Sequence, residues 1–383
     1  MHKYLFLLGR TPELSFHELL AFIPQEDLEQ VTPEIVRASL ESDEAASNIF
    51  SLLGGSLKVL KTEGEFHAVE EEKLPEYAAA FLAEFPRPTF AIAELGRNNI
   101  EKLDPGEIKR LLKARNVSSR FIEGPREGLS AAVLLHDDVV ELHVMKFGET
   151  TFFARTLEVQ DIDSWTERDR GKPYSDRKKG MLPVKVARMM VNMAMAQQKS
   201  QASDSREPVK LYDPFCGTGT VLIEAAMRGC QVFGSDLDQD SVVGTTRNLE
   251  WFGKTANLSV QSHIFHSDAT NVTPDKLGGL VDTLVTEPFL GKPTPQAQQL
   301  PNIFKGLEKM YLGAFKQWTK ILSPGASVVI IFPYVVEGKN IYSLEKMIDK
   351  LSSLGYTPLS EPLMYHRPQA IVQRQVWQFR FSK

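Results

Sequence analysis

The stretch "LYDPFCGTGTVLIEAAMRG" (residues 211–229) is a strand, a glycine turn and a helix opening at Thr220. Gly217 and Gly219 let the backbone come close to a ligand at the helix N-terminus, where unpaired N–H groups and the positive dipole end favour a carboxylate or phosphate. The third glycine of the dinucleotide pattern is missing, and no Gly-Lys-Ser/Thr comes after it, so neither that pattern nor a P-loop applies. Alone, the turn is equally a tight β–α connection without a ligand.

The chain beyond the turn decides its meaning. After Val209 strands alternate with helices: "VKLYDPF", "CQVFGSD", "LSVQSHIFHSD", "GLVDTLVTE", "ASVVIIFPYV", "PLSEPLMYH" and "RQVWQFRF", with helices near 220–229, 239–251, 301–322 and 343–354 and a short one near 274–278. Apolar strands separated by amphipathic helices predict an α/β fold with a doubly wound, mostly parallel sheet. Only "RPQAIV" separates the last two strands, so they pair as a hairpin, giving a Rossmann-like sheet of the methyltransferase arrangement. Asp213, Asp236 and Asp268 close three consecutive strands, and Asp236 lies 17 residues past Gly219. Each acid alone reads as a turn or cap residue, and Asp238 or Asp240 as the cap of the next helix. Together they mark the ligand crevice of an open sheet and predict a nucleoside cofactor, with Asp236 on ribose hydroxyls and Asp268 on the adenine amine.

The N-terminal part differs. "SFHELLAF" carries a capping-box spacing at Ser15 and Glu18. From Lys61 to Phe153, helical patterns ("LPEYAAAFLAEF", "PGEIKRLLKAR") mix with strands ("TFAIAEL", "SAAVLLH", "VVELHVMKF", "TTFFART"), predicting a compact α+β module. Residues 161–182 are polar and aperiodic and read as a basic linker or exposed loop, followed by the helix "LPVKVARMMVNMAMAQQ". The expected organisation is 1–60, an α+β subdomain; 61–160, a second α+β domain; 161–182, the linker; and 183–383, the Rossmann-like domain. The net charge of -5 disfavours a polyanionic partner, but eight Lys/Arg between Arg168 and Arg188 and eight between Arg97 and Arg126 form local basic patches. Two cysteines give no disulfide framework or zinc site, so no metal is expected. "YLFLL" is too short for a signal peptide, and no apolar run spans a bilayer, so the expectation is a cytoplasmic protein without membrane contact.

With "GSDLD" and the helix "LPVKVARMMVNMA", the stretch "DPFCGTGTVLIEAAMRG" resembles the S-adenosylmethionine-dependent RNA methyltransferases. More narrowly it resembles the archaeal and eukaryotic tRNA guanosine-10 N2-methyltransferase family, and "YLFLLGRTPELSFHELLA" is similar to that family's opening. The resemblance covers essentially the whole chain. It implies a class I methyltransferase domain, S-adenosylmethionine as cofactor, tRNA as partner, and a THUMP-like RNA-binding region before the catalytic domain. It sets the methionine end of the cofactor beside Asp213, Cys216, Gly217 and Gly219, with Pro183 and Asn192 as further pocket residues. Those two read equally well as parts of a core helix. Arg168, Arg170, Lys172, Arg177 and Lys178 are the expected RNA contacts.

The family's Asp/Asn-Pro-Pro-Tyr/Phe slot reads Glu287-Pro288-Phe289-Leu290 here. An exocyclic amine is a poor nucleophile because its lone pair is delocalised into the ring. A side-chain oxygen and a backbone carbonyl aim it at the methyl carbon, and an aromatic ring stacks on the extruded base. Glu287 supplies a carboxylate, Pro288 a carbonyl, and Phe289 a ring one place early. Three readings stay open: an RNA N-methyltransferase acting on guanosine N2 in tRNA, a non-catalytic tRNA-binding protein that keeps the cofactor pocket, and a methyltransferase for another amine, such as adenine in RNA or DNA.

Overall fold

The structure of the protein is a computed structural model that describes residues 1–67, 72–95, 103–176, 181–199 and 207–383. The chain forms two compact units, one made of residues 1–12 and 23–164, the other of residues 13–22 and 165–383. Helix α1 (Pro12–Leu19) therefore falls almost wholly in the second unit. Ser15 and Glu18 do not form the expected capping box: the helix starts earlier, at Pro12, and both side chains are buried inside it. Glu18 accepts a hydrogen bond from Asn192 Nδ2 at 2.6 Å.

The first unit is built on an eight-stranded sheet. Its strands are β1 (His2–Leu8), β2 (Leu28–Thr32), β3 (Ile35–Leu40), β4 (Ser56–His67), β5 (Thr89–Leu95), β6 (Arg120–Phe121), β7 (Val140–Phe147) and β8 (Thr150–Val159), in the order β2-β3-β1-β4-β8-β7-β5-β6. Helices α2 (Asp43–Leu52), α3 (Leu74–Leu82), α4 (Pro105–Ala114) and α5 (Ala131–His136) complete it. α3 and α4 bury Leu74, Ala78, Leu82, Ile108 and Leu112 against Phe90, Leu142 and Phe153 of the sheet. Because β4 runs through residue 60 and pairs on both sides, the expected boundary between 1–60 and 61–160 does not exist. The segment "SAAVLLH", expected as a strand, is the helix α5. Ser130 caps it through Val133 N–H, and a short apolar run carries no period that separates helix from strand.

Beneath α5's leading loop lies a buried ionic group. Glu141 accepts from Lys58 Nζ at 2.7 Å, from Leu129 N–H and from Thr156 Oγ1, and it meets His143 Nε2 at 2.9 Å. Burial pushes Glu141 up, but the His143 and Lys58 contacts outweigh it and hold the carboxyl at about 2. The same burial pushes His143 down.

The second unit contains α6 (Ile162–Arg170) from Trp165 onward, α7 (Val184–Lys199), and then the alternating part. This comprises β9 (Lys210–Asp213), α8 (Thr220–Met227), β10 (Gln231–Asp236), α9 (Gln239–Thr255), β11 (Ser262–His266), β12 (Val281–Thr286), α10 (Leu300–Trp318), β13 (Leu322–Glu337), β14 (Asn340–Tyr342), α11 (Ile348–Ser353), β15 (Tyr356–Pro358), β16 (Leu363–Tyr365) and β17 (Gln373–Phe381). The sheet order is β11-β10-β9-β12-β13-β17-β15, with β14 on β13 and β16 on β17. β9 to β13 are mutually parallel and β17 is antiparallel to β13, as the α/β reading expected. The sixth expected strand, "PLSEPLMYH", is not one strand: it begins on the last residue of β15 and contains β16, and each of these short strands pairs with β17.

Within the expected linker at 161–182, Ile162–Arg170 is helix, and two of the cations are buried rather than solvated. Arg168 is 6% and Lys172 7% exposed. Glu224, inside the otherwise apolar α8, accepts from Arg168 Nε at 2.8 Å and from Arg188 Nε at 2.7 Å. The Arg168 guanidinium also lies over the Trp165 ring at 4.3 Å. An internal carboxylate within an apolar helix has drawn the cations inward, because a buried charge must be paired.

Candidate cofactor and substrate site

A cavity of about 1160 Å³ opens at the C-terminal ends of the parallel strands. Its walls include Asp213, Cys216, Gly217, Thr218, Thr220, Asp236, Leu237 and Asp268, and also Glu287, Pro288, Phe289, Leu290, Arg367 and Arg374. Two groups of residues with different expected roles, the strand-end acids and the 287–290 slot, thus face one space.

The glycine turn is held by its own amides. Cys216 N–H donates to Ser235 O at 2.9 Å, Gly219 N–H to Cys216 O at 2.7 Å, and Gly217 N–H to Asp236 Oδ2 at 3.0 Å. Asp236 Oδ1 accepts from Asp238 N–H at 2.9 Å. Gly219 has φ +77°, and a Cβ there would stand 2.9 Å from Thr245 Cγ2, so close helix packing and a left-handed backbone both require glycine. Gly217 has φ +53° and lines the cavity, and the nearest atom to an added Cβ would be Phe215 O at 3.9 Å. Space above that backbone is free of protein atoms, which is what close ligand approach needs.

Asp213 ends β9 almost wholly buried, at 2% exposure. Its Oδ1 accepts from Thr286 Oγ1 at 2.6 Å and from Phe215 N–H at 3.1 Å. Burial pushes its carboxyl up to about 7, against those two hydrogen bonds and with the help of the Asp236 and Glu287 charges. Asp268 Oδ1 accepts from both Thr270 N–H and Thr270 Oγ1 at 2.8 Å. Leu237 stands 68% exposed on the cavity wall beside Asp236, an apolar face for a flat ring. Asp238 caps α9, accepting from Asp240 N–H and Ser241 Oγ. The Cys216 thiol is raised by burial and is a packed side chain.

At the end of β12, Glu287 Oε1 accepts from Arg374 Nε of β17 at 2.6 Å. Tyr311 OH donates to Phe289 O at 2.8 Å, which fixes the slot's backbone against α10. The Phe289 ring is 61% exposed at the cavity wall. Arg367, whose Nη2 donates to Met181 O at 3.0 Å, and Lys292 add positive charge to the same wall.

Of the residues expected at the site, Asp213, Cys216, Gly217, Asp236, Asp268, Glu287, Pro288 and Phe289 line the cavity, while Gly219 supports it from behind. Pro183 and Asn192 do not line it; the neighbouring Met181 and Leu182 do. Of the expected RNA contacts, Arg168 and Lys172 are buried, which overturns their reading as an exposed surface, and Arg170 is exposed. Arg177 and Lys178 lie outside the described residues. Sequence reading missed Arg374, Arg367 and Leu237. Glu287 hinted at the first, since a carboxylate at a buried strand end needs a partner. Among the described residues there is no metal-holding cluster, and no helix is long and apolar enough to cross a membrane.

Residues 174–334 match the UPF0020 family profile, the RMKL-like methyltransferase domain. The tRNA (guanine(10)-N2)-dimethyltransferase of Methanothermobacter thermautotrophicus is 31% identical over 175 residues, 46% of this chain and 44% of that protein. The enzyme of the same name from Pyrococcus abyssi is 32% identical over 152 residues, 37% of this chain and 41% of that protein. The chain thus spans less than half the length of these curated relatives. Among solved structures, TrmN from Thermus thermophilus superposes with a TM-score of 0.53 at 16% identity, covering 99% of this chain and 100% of that one. A possible methylase from Clostridium difficile 630 gives 0.50 at 12% identity, covering 100% and 98%. The fold is therefore α/β, with a Rossmann-like class I methyltransferase sheet.

Proposed function

We propose that the chain is an S-adenosylmethionine-dependent RNA methyltransferase acting on the exocyclic N2 of a guanosine in tRNA. One observation carries this reading: the three strand-end acids and Glu287-Pro288-Phe289 open on a single cavity. The tRNA (guanine(10)-N2)-dimethyltransferase activity named for the curated relatives supports it. When bound, S-adenosylmethionine supplies an electrophilic methyl group. Asp236 then accepts hydrogen bonds from ribose hydroxyls and Asp268 from the adenine amine, with Leu237 against the ring. For the base, Arg374 engages Glu287 Oε1, and Oε2 accepts one amine N–H while Pro288 O accepts the other. Phe289 is the platform on which the extruded base stacks. The residues do their work by alignment, and an error near 1 Å costs about a hundredfold.

For the partner, the first unit supplies the proposed THUMP-like surface. On α4, Lys109, Arg110 and Lys113 are exposed while Ile108 and Leu112 are buried. A one-sided basic helix suits a phosphate backbone. Arg170 adds an exposed cation in the second unit.

The Arg374–Glu287 pair also favours a second reading, a non-catalytic tRNA-binding protein, since the acceptor carboxylate is already engaged. Full-length protein incubated with labelled S-adenosylmethionine and bulk tRNA, followed by nucleoside analysis, separates the two. N2-methylguanosine is the expected product, and Glu287→Ala should lower transfer about a hundredfold or more with cofactor binding intact. Cofactor binding by the wild type without any methyl transfer moves the balance to the second reading, and methyl found on adenine rejects the guanosine assignment.

A further inference from the structure

The segment directly after α6 does more than connect. Residues 171–176 are docked onto the back of the glycine turn. Asn248 of α9 accepts from Tyr174 N–H at 2.8 Å and donates to Tyr174 O at 2.9 Å and to Thr218 O at 2.8 Å. The Tyr174 ring lies against α9 at Gly244, where an added Cβ would meet it at 2.1 Å. This docking carries Lys172 inward until its Nζ donates to Thr220 Oγ1 at 2.7 Å, and Thr220 is the first residue of α8 and part of the cavity wall.

Among the described residues, Lys172 is thus a buried cation whose hydrogen bond goes to a hydroxyl and not to a carboxylate. Glu224 is near enough to act on it through charge, as is Asp169. Yet both Glu224 oxygens are taken, by Arg168 and Arg188. Burial pushes the Lys172 ammonium below its ordinary range, as it must when the charge is only partly compensated. Meanwhile the amides of Cys216, Gly217 and Gly219, the turn's obvious anion donors, are spent on Ser235, Asp236 and Cys216. Among the described residues, an anion arriving at Thr218 and Thr220 meets the first-turn amides of α8 and this ammonium.

We infer that Lys172 is the counter-charge for the carboxylate of the cofactor's amino-acid end, reached beside Thr220 at the start of α8. The inference rests on the S-adenosylmethionine reading proposed for the cavity. It assigns to cofactor binding a residue whose place in a basic stretch suggests RNA, and it accounts for a buried ammonium that packing alone does not require.

The test compares two ligands that differ only in that carboxylate, S-adenosylmethionine and its decarboxylated form, by calorimetry on the full chain without RNA. Wild type should bind the carboxylate form about tenfold or more tighter, as expected of a charge-assisted hydrogen bond. Lys172→Met, close in length and uncharged, should lower affinity for S-adenosylmethionine about tenfold and leave the decarboxylated ligand within about twofold. Lys172→Arg keeps the charge and should keep most of the discrimination, which guards against a Met variant that merely misfolds. Equal loss for both ligands would make Lys172 a brace of the turn and overturn the inference, as would no loss for either. If wild type binds neither ligand, the cofactor reading itself fails, an outcome distinct from any change in discrimination.

Discussion

Replacing Asp213 with Asn should make the ligand-free second unit more stable, and increasingly so as the pH rises. The carboxyl holds its proton more tightly folded, at about 7, than its ordinary 3.8. Between those values the folded state binds more protons than the unfolded one, so stability is lost as pH climbs through that window and stays lost above it. At about 1.36 kcal/mol per pH unit the full cost in the wild type is on the order of 4 kcal/mol above pH 7, of which about 1.5–2 is already felt at pH 5. Asparagine keeps an Oδ1 to accept from Thr286 Oγ1 and Phe215 N–H and carries no charge to bury. Its advantage over wild type should therefore grow by about 2–3 kcal/mol from pH 5 to pH 8.5, whatever constant offset the substitution brings. The assay is urea unfolding followed by tryptophan fluorescence. It reports the second unit alone, because Trp165, Trp251, Trp318 and Trp377 all belong to it. An advantage that stays flat with pH, or shrinks as pH rises, would refute the account of Asp213.

Two further substitutions probe the frame around the site. Gly244→Ala should expel the Tyr174 ring from α9 and loosen residues 171–176, costing about 1–3 kcal/mol by overpacking. It should also raise proteolytic cleavage in that segment, and an unchanged cleavage pattern would count against the docking. In the first unit, Lys58→Met should leave Glu141 buried without its ammonium and lower stability by about 3–5 kcal/mol. Because Glu141 sits at about 2 rather than 4.5, its contribution is present above pH 4.5 and is lost as pH falls toward 2. The penalty of the variant, read by circular dichroism, should then fade in acid. A pH-independent penalty would place the cause in packing.

The parts of this molecule that read correctly from sequence are those with local causes. Strand–helix alternation after Val209, the Gly217–Gly219 turn and the strand-end acids each depend on a few neighbours in the chain, and the parallel sheet and the cavity result from them. What did not read were partners chosen across long separations. The stretch around Arg168 and Lys172 has the composition of a solvated loop, and only Glu224, a lone carboxylate in "TVLIEAAM", signals that cations must come inside. Glu287 likewise signals that a partner is needed but not which one, and Arg374 arrives on an antiparallel strand 87 residues on. The run at 130–136 failed for a different reason: so few residues do not let a period declare itself.

Helix α1 gives the chain a history as well as a place. Its contacts in the second unit, Ser15 to Met189 and Glu18 to Asn192, each span 174 residues. At about 5–20 residues per second of synthesis, α1 waits on the order of 10–35 s for the helix it belongs with. Before that interval ends the first unit, residues 1–12 and 23–164, is complete and can close its own sheet. The later unit is therefore a late assembler that must recapture a segment made long before. Removing the N-terminal residues to isolate it would strip Leu14 and Phe22 from their places beside α7 and Arg228. A clean dissection has to carry residues 13–22 along with 165–383.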